Sequence, residues 1–134
     1  MGVIVVGYVS KPEGQAALRL AAEEANLRDA SLVVVNSHRG GREFDRDDAV
    51  QSESQLDEVR SQLEQAGVEH EVRQLVRGMD PAEDLINVAA EVAAELIIIG
   101  LRRRTPVGKL ILGSNAQRVL LDAPCPVLAV KAAE

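Results

Sequence analysis

The chain has 134 residues, of which 46% are hydrophobic and 27% charged, and it carries a net charge of −6 at pH 7. This balance is typical of one globular domain, expected over residues 1–134, and excludes a disordered chain. With one Tyr, one Phe and no Trp, the chain lacks aromatic platforms for nucleic-acid bases, and its single cysteine excludes an internal disulfide.

Short apolar runs alternate with longer amphipathic segments. The runs predict strands because they are rich in β-branched residues and bounded by Gly, Pro or charge; they cover 3–6, 32–35, 68–76, 96–99 and 127–130. Between them, apolar residues at intervals of three and four predict helices over 13–27, 47–66, 81–93 and 115–121.

Helix start signals precede three of these helices. Each combines an N-cap acceptor with a Glu or Gln three residues later, the pattern of a capping box. The pairs are Ser10 with Glu13, Asp80 with Glu83, and Ser114 with Gln117. In the predicted helix over 81–93, Pro81 also stands at the first helical position, where its fixed φ suits the helix.

Repeated β-α-β units predict an α/β fold, an open doubly wound parallel five-stranded sheet with helices on both faces. Four of the predicted strands are apolar throughout, as expected for strands covered on both faces. The segment 68–76 mixes polar with apolar residues. It is therefore expected at an edge of the sheet.

Ligands of open parallel sheets bind outside the carboxyl ends of the strands, where the strand order reverses. With the first and fourth strands as the central pair, the loops 8–14 and 100–113 flank this crevice. The second loop leads into a helix whose unpaired backbone N–H groups favour an anion. We therefore expect any phosphate near Gly113, Ser114 and Asn115, with Gly113 allowing close approach.

The same segment is strongly basic. Residues 100–118 contain five Arg or Lys residues and no acidic residue, in a chain that is acidic overall. This loop is a candidate phosphate-binding element. Structural interpretations stay open beside it: Ser114 with Gln117 is an ordinary capping box, the arginines form a solvated loop, and Gly100 is a turn after a strand.

These residues also carry a resemblance. The segments GLRRRTPVGKLILGS (100–114) and APCPVLAV (123–130) closely resemble the C-terminal signature of the universal stress protein family, and IVVG (4–7), AALR (16–19) and GMDP (78–81) also look like that family. The resemblance implies the strand order 3-2-1-4-5. It also implies a homodimer formed by pairing of the last strand, Val127–Val130.

Nucleotide-binding members of this family hold ATP with a loop of Gly, two residues, Gly, nine residues, Gly, then Ser or Thr. Gly100, Gly113 and Ser114 match this pattern, but Arg103 replaces its middle glycine. Val9 stands where these members usually carry Asp. Arg103 either fills the phosphate space or adds a charge-assisted contact to an anion.

The leading hypothesis is a cytoplasmic, universal-stress-protein-like dimer that binds ATP or AMP, or another phosphate-bearing ligand, at Gly100, Arg103, Gly113, Ser114 and Asn115. The alternative is a dimerising interaction module without a nucleotide, which Val9 and Arg103 favour. Tyr8, near the crevice mouth, is expected in the core rather than stacked on a base.

Catalysis and other partners are not expected. Cys125 lies between two prolines and is expected to be a buried, unreactive side chain. His38 and His70 have no evident Ser or Cys partner. A weak ATPase is a distant third hypothesis, because no general base for water stands out. No metal, nucleic-acid or membrane partner is predicted; no apolar run approaches membrane-spanning length, and the N-terminus does not read as a secretory signal.

Overall fold

The computed structural model of the protein describes residues 2–38, 46–76, 80–101 and 112–132. Along the chain, strands alternate with helices in the predicted order. The elements are β1 (Val3–Gly7), α1 (Pro12–Arg28), β2 (Ser31–His38), α2 (Arg46–Gln65), β3 (His70–Val76), α3 (Pro81–Glu91), β4 (Leu96–Leu101), α4 (Ser114–Asp122) and β5 (Val127–Lys131).

The five strands form one parallel sheet in the order β3-β2-β1-β4-β5. Both the expected fold class and the strand order are confirmed. The more polar β3 lies at an edge, and the central β1 pairs with β2 on one side and β4 on the other. The strand order therefore reverses between β1 and β4, as the crevice hypothesis requires.

Side chains from the two faces of the sheet form separate cores because successive strand residues point to opposite faces. Ile4, Val6 and Ile98 pack in one core with residues of α1 and α2. Val5 and Ile97 pack in the other with residues of α3 and α4. Burial on both faces explains why the central strands are continuous apolar runs.

The predicted capping boxes are not the interactions that begin these helices. The N-cap of α1 is Lys11, and that of α4 is Gly113, so Ser114 is the first helical residue of α4 rather than its cap. Asp80 is the N-cap of α3 as predicted, but its carboxylate makes no capping hydrogen bond. Backbone conformation and a proline at the start of α1 and α3 begin these helices instead.

Candidate functional site

A cleft with a volume of about 220 Å³ opens at the carboxyl edge of the sheet, where the strand order reverses. The ends of β1, β2 and β4 form its floor, and the starts of α1, α3 and α4 form its walls. Open α/β sheets place their ligands at this position. The predicted crevice is thus present.

Three helices begin at this cleft, and their first turns differ in charge. The first turn of α3 carries Glu83 and Asp84, and that of α1 carries Glu13. The first turn of α4 contains no acidic residue. Because a helix N-terminus attracts anions and neighbouring carboxylates repel them, α4 is the helix best suited to a phosphate group.

The predicted site residues lie at or beside this cleft to different degrees. Gly100 and Asn115 line it. Gly113 is half-buried as the N-cap of α4, and Ser114 is exposed at the helix start. Arg103 lies outside the described residues, as does most of the predicted loop 100–113.

Gly100 is part of β4, where it pairs with Val130, and is not a turn residue after the strand. A Cβ atom at this position would lie 2.0 Å from the backbone oxygen of Glu13. The start of α1 therefore rests directly on the backbone of β4. Close packing of helix on strand thus requires a glycine at position 100, whatever the ligand.

Arg118 contributes less to the basic surface at α4 than its sequence position indicates. Its guanidinium lies 3.7 Å from a carboxylate oxygen of Asp80 and 3.9 Å from one of Glu83, both at the start of α3. These contacts link α4 to α3 on an exposed surface, where ion pairs stabilise weakly. Arg118 Nε also lies 3.8 Å from a carboxylate oxygen of Asp122 on α4, so three carboxylates share its charge.

Tyr8 belongs to the core, as expected. Its side chain is 3% exposed and packs on the face covered by α1 and α2. Gln15 Nε2 donates a hydrogen bond of 2.8 Å to the phenolic oxygen. Burial raises the pKa of the Tyr8 hydroxyl, and the negative charge of Glu58 adds to this increase, against the hydrogen bonds of Ser10 and Gln15, which lower it.

Because Tyr8 is the only tyrosine and the chain has no tryptophan, absorbance near 295 nm reports its ionisation alone. We expect the folded protein to titrate above the ordinary phenol pKa of about 10 and the urea-unfolded chain to titrate near that value. The unfolded state loses its proton first as pH rises, so stability falls from about pH 10 upward. Equal midpoints in both states would contradict this effect of burial.

A polar pair beneath the cleft was not predicted from the sequence. Ser37, at the end of β2, lines the cleft and donates a hydrogen bond from its hydroxyl to Asp84 Oδ2 on α3. Beside it, Asn36 Nδ2 donates to the backbone oxygen of Tyr8 at 3.1 Å. One signal was present in the sequence: Asp84 lies four residues before Val88, on the apolar stripe of α3.

The nucleophile and metal-ligand types are not gathered into a site in the described part of the chain. Burial raises the pKa of the half-buried Cys125 thiol, which makes it less reactive. His70 Nδ1 lies 2.9 Å from the backbone oxygen of Val68, and the side chain of His38 is outside the described residues. Within the described ranges, no three His, Cys, Asp or Glu residues are grouped to hold a metal ion.

None of the described helices combines the length and the apolar character needed to cross a membrane.

Comparisons with known proteins agree with this architecture. A universal stress protein of Mycolicibacterium smegmatis is 46% identical over 129 residues, covering 96% of this chain and 97% of that protein. The structure of a universal stress protein from Archaeoglobus fulgidus superposes with a TM-score of 0.84 at 39% identity, covering 98% of each chain. A structure from the same organism, described as a complex with dAMP, has a TM-score of 0.78 at 34% identity over 98% of each chain.

The fold and its cleft define an open, doubly wound α/β protein with a crevice at the reversal of strand order. The family profile described as the universal stress protein family matches residues 1–131. The chain belongs to the universal stress protein family, and the family resemblance found in the sequence is confirmed.

Proposed function

We propose that the protein binds an adenine nucleotide in this cleft as a non-enzymatic stress-response protein. The observation that carries the proposal is the acid-free N-terminus of α4, which opens onto a cleft at the reversal of strand order. The dAMP complex of the Archaeoglobus fulgidus relative supports the class of ligand. The phosphate group lies at the start of α4 and the base at the opposite end, between β2 and α3.

Gly113, Ser114 and Asn115 hold the phosphate in this arrangement through backbone N–H groups and polar side chains. Arg103, which lies outside the described residues, is a further candidate for a charge-assisted contact with the phosphate. Val9 lines the cleft without offering a carboxylate, but Glu13, in the first turn of α1, also lines it. Glu13 is thus a candidate for contact with ribose hydroxyls.

The proposal includes a homodimer formed through β5. Val127–Val130 are half-buried, and β5 lies at the edge of the described sheet. Its outer backbone groups offer hydrogen bonds to a second strand, and edge strands of this kind are ordinarily covered. A second copy of the chain supplies such a cover.

A second candidate function is a dimerising module that binds no nucleotide. Val9 favours it, because an exposed apolar side chain occupies the mouth of the cleft where nucleotide-binding relatives usually carry a carboxylate. In that case β5 forms the functional interface, and the cleft is a feature of the fold that binds no nucleotide.

Native mass spectrometry with and without AMP or ATP tests both candidates, because it reports subunit count and bound ligand together. We expect a dimer that gains one nucleotide per chain. Loss of one phosphate hydrogen bond in Ser114→Ala weakens AMP binding roughly three- to tenfold by calorimetry. Ser31→Ala, at the start of β2 and the opposite edge of the sheet, is the matched control and leaves affinity unchanged.

A dimer that retains no nucleotide at millimolar concentration would favour the interaction module. A monomer that binds nucleotide would remove β5 as the dimer interface and leave the ligand proposal standing.

A further inference from the structure

The hydrogen-bonded pair beneath the cleft has a fixed polarity. Ser37 Oγ–H donates to Asp84 Oδ2, and Asp84 is 3% exposed. A serine hydroxyl has one proton and two lone pairs, whereas a carboxylate accepts only. Because the Ser37 proton is committed to Asp84, the hydroxyl meets a ligand in the cleft as a hydrogen-bond acceptor.

The apolar surroundings of Ser37 make the direction of its hydrogen bond important for ligand binding. Val35, Ala82 and Leu85, which line the same end of the cleft, are all buried and apolar. A polar ligand group that loses water here without gaining a partner pays a desolvation cost. A ligand group that donates a hydrogen bond finds a partner in the Ser37 hydroxyl oxygen. A ligand group that only accepts finds none, because the Ser37 oxygen is itself an acceptor.

We infer that Ser37, held by Asp84, is a specificity-determining residue that selects ligands with an N–H donor at the β2–α3 end of the cleft. The inference rests on the proposed function, which places the phosphate at α4 and the base at this end. The exocyclic amino group of adenine is a donor of the required kind. Asp84 is a positioning residue, because it acts through Ser37.

Binding of AMP compared with purine riboside 5′-monophosphate tests this inference. The second nucleotide retains the ring nitrogens and the phosphate and lacks only the amino group. We expect the parent protein to bind AMP about tenfold more tightly, the difference that one well-placed hydrogen bond supplies. In Ser37→Ala the ratio falls to about two or less, mainly through weaker AMP binding.

The Asp84→Asn variant separates hydrogen-bond polarity from packing. Its amide is nearly the same size but offers Ser37 Oγ a donor N–H as well as an acceptor oxygen, so the serine proton is no longer committed to position 84. Discrimination by the unchanged Ser37 is therefore expected to fall below the tenfold ratio of the parent protein, toward the ratio in Ser37→Ala. Ser31→Ala, far from the cleft, keeps the tenfold ratio.

The outcomes separate the two proposals. If AMP binds but the parent protein does not discriminate, or Ser37→Ala retains the ratio, the inference about Ser37 is wrong and the proposed function stands. If the parent protein binds neither nucleotide, the proposed function fails and the inference fails with it. Should Asp84→Asn not fold, as judged by circular dichroism, the ratio in Ser37→Ala alone decides.

Discussion

The Gly100→Ala variant is expected to lose about 3 kcal/mol of unfolding free energy, the upper end of the usual cost of overpacking. The added Cβ would stand 2.0 Å from the backbone oxygen of Glu13 and 2.6 Å from its carbonyl carbon. Backbone atoms have no alternative rotamer, so the start of α1 must move away from β4. Urea unfolding followed by circular dichroism measures the loss.

Gly2→Ala is the matched control for this substitution. The nearest atoms to its added Cβ belong to the end of the Glu95 side chain, which is able to rotate away. We therefore expect a change within about 0.5 kcal/mol. Equal unfolding midpoints for the two variants would show that α1 does not need the close approach to β4.

A second large effect is expected from Leu18→Ala. Leu18 lies on α1, is fully buried, and packs in the core between the sheet, α1 and α2. Its truncation removes apolar contacts and leaves a cavity in a densely packed region, which costs about 3–5 kcal/mol. The measurement is again the free energy of unfolding in urea.

The same helix supplies the control. Leu27→Ala is an identical substitution on α1, but the Leu27 side chain is 81% exposed. We expect a change within about 0.5 kcal/mol. A loss at position 27 as large as that at position 18 would mean that the exposed side of α1 is covered in solution.

The architecture was predictable because its signals are local. Apolar runs such as Leu96–Ile99 predict strands buried on both faces, and the polar residues of His70–Val76 indicate an edge strand. The position of the crevice followed from strand alternation and the central pairing. The strand order itself came from the family resemblance, since no local pattern specifies which parallel strands are neighbours.

The site was predicted less completely, because its parts are distant in sequence. Ser37 and Asp84 are separated by 47 residues, and only the packing of α3 over the end of β2 brings them together. Gly100 was expected directly after the strand, at the start of the ligand loop, because a glycine ended an apolar run. Pairing with Val130 extends β4 through Leu101 instead. The N-caps of α1 and α4 were misassigned because an extended preceding residue, followed in α1 by a proline, begins each helix without a side-chain acceptor.

The close backbone contacts of α1 with the segments beside it affect the entropy of ligand binding. At Gly14, as at Gly100, there is no room for a side chain: a Cβ there would stand 1.8 Å from the backbone oxygen of Val9. Main chain thus rests on main chain at these two contacts, with no side chain between them to reorder when a ligand binds. The backbone of this wall is therefore preorganised, which lowers the conformational entropy lost on association.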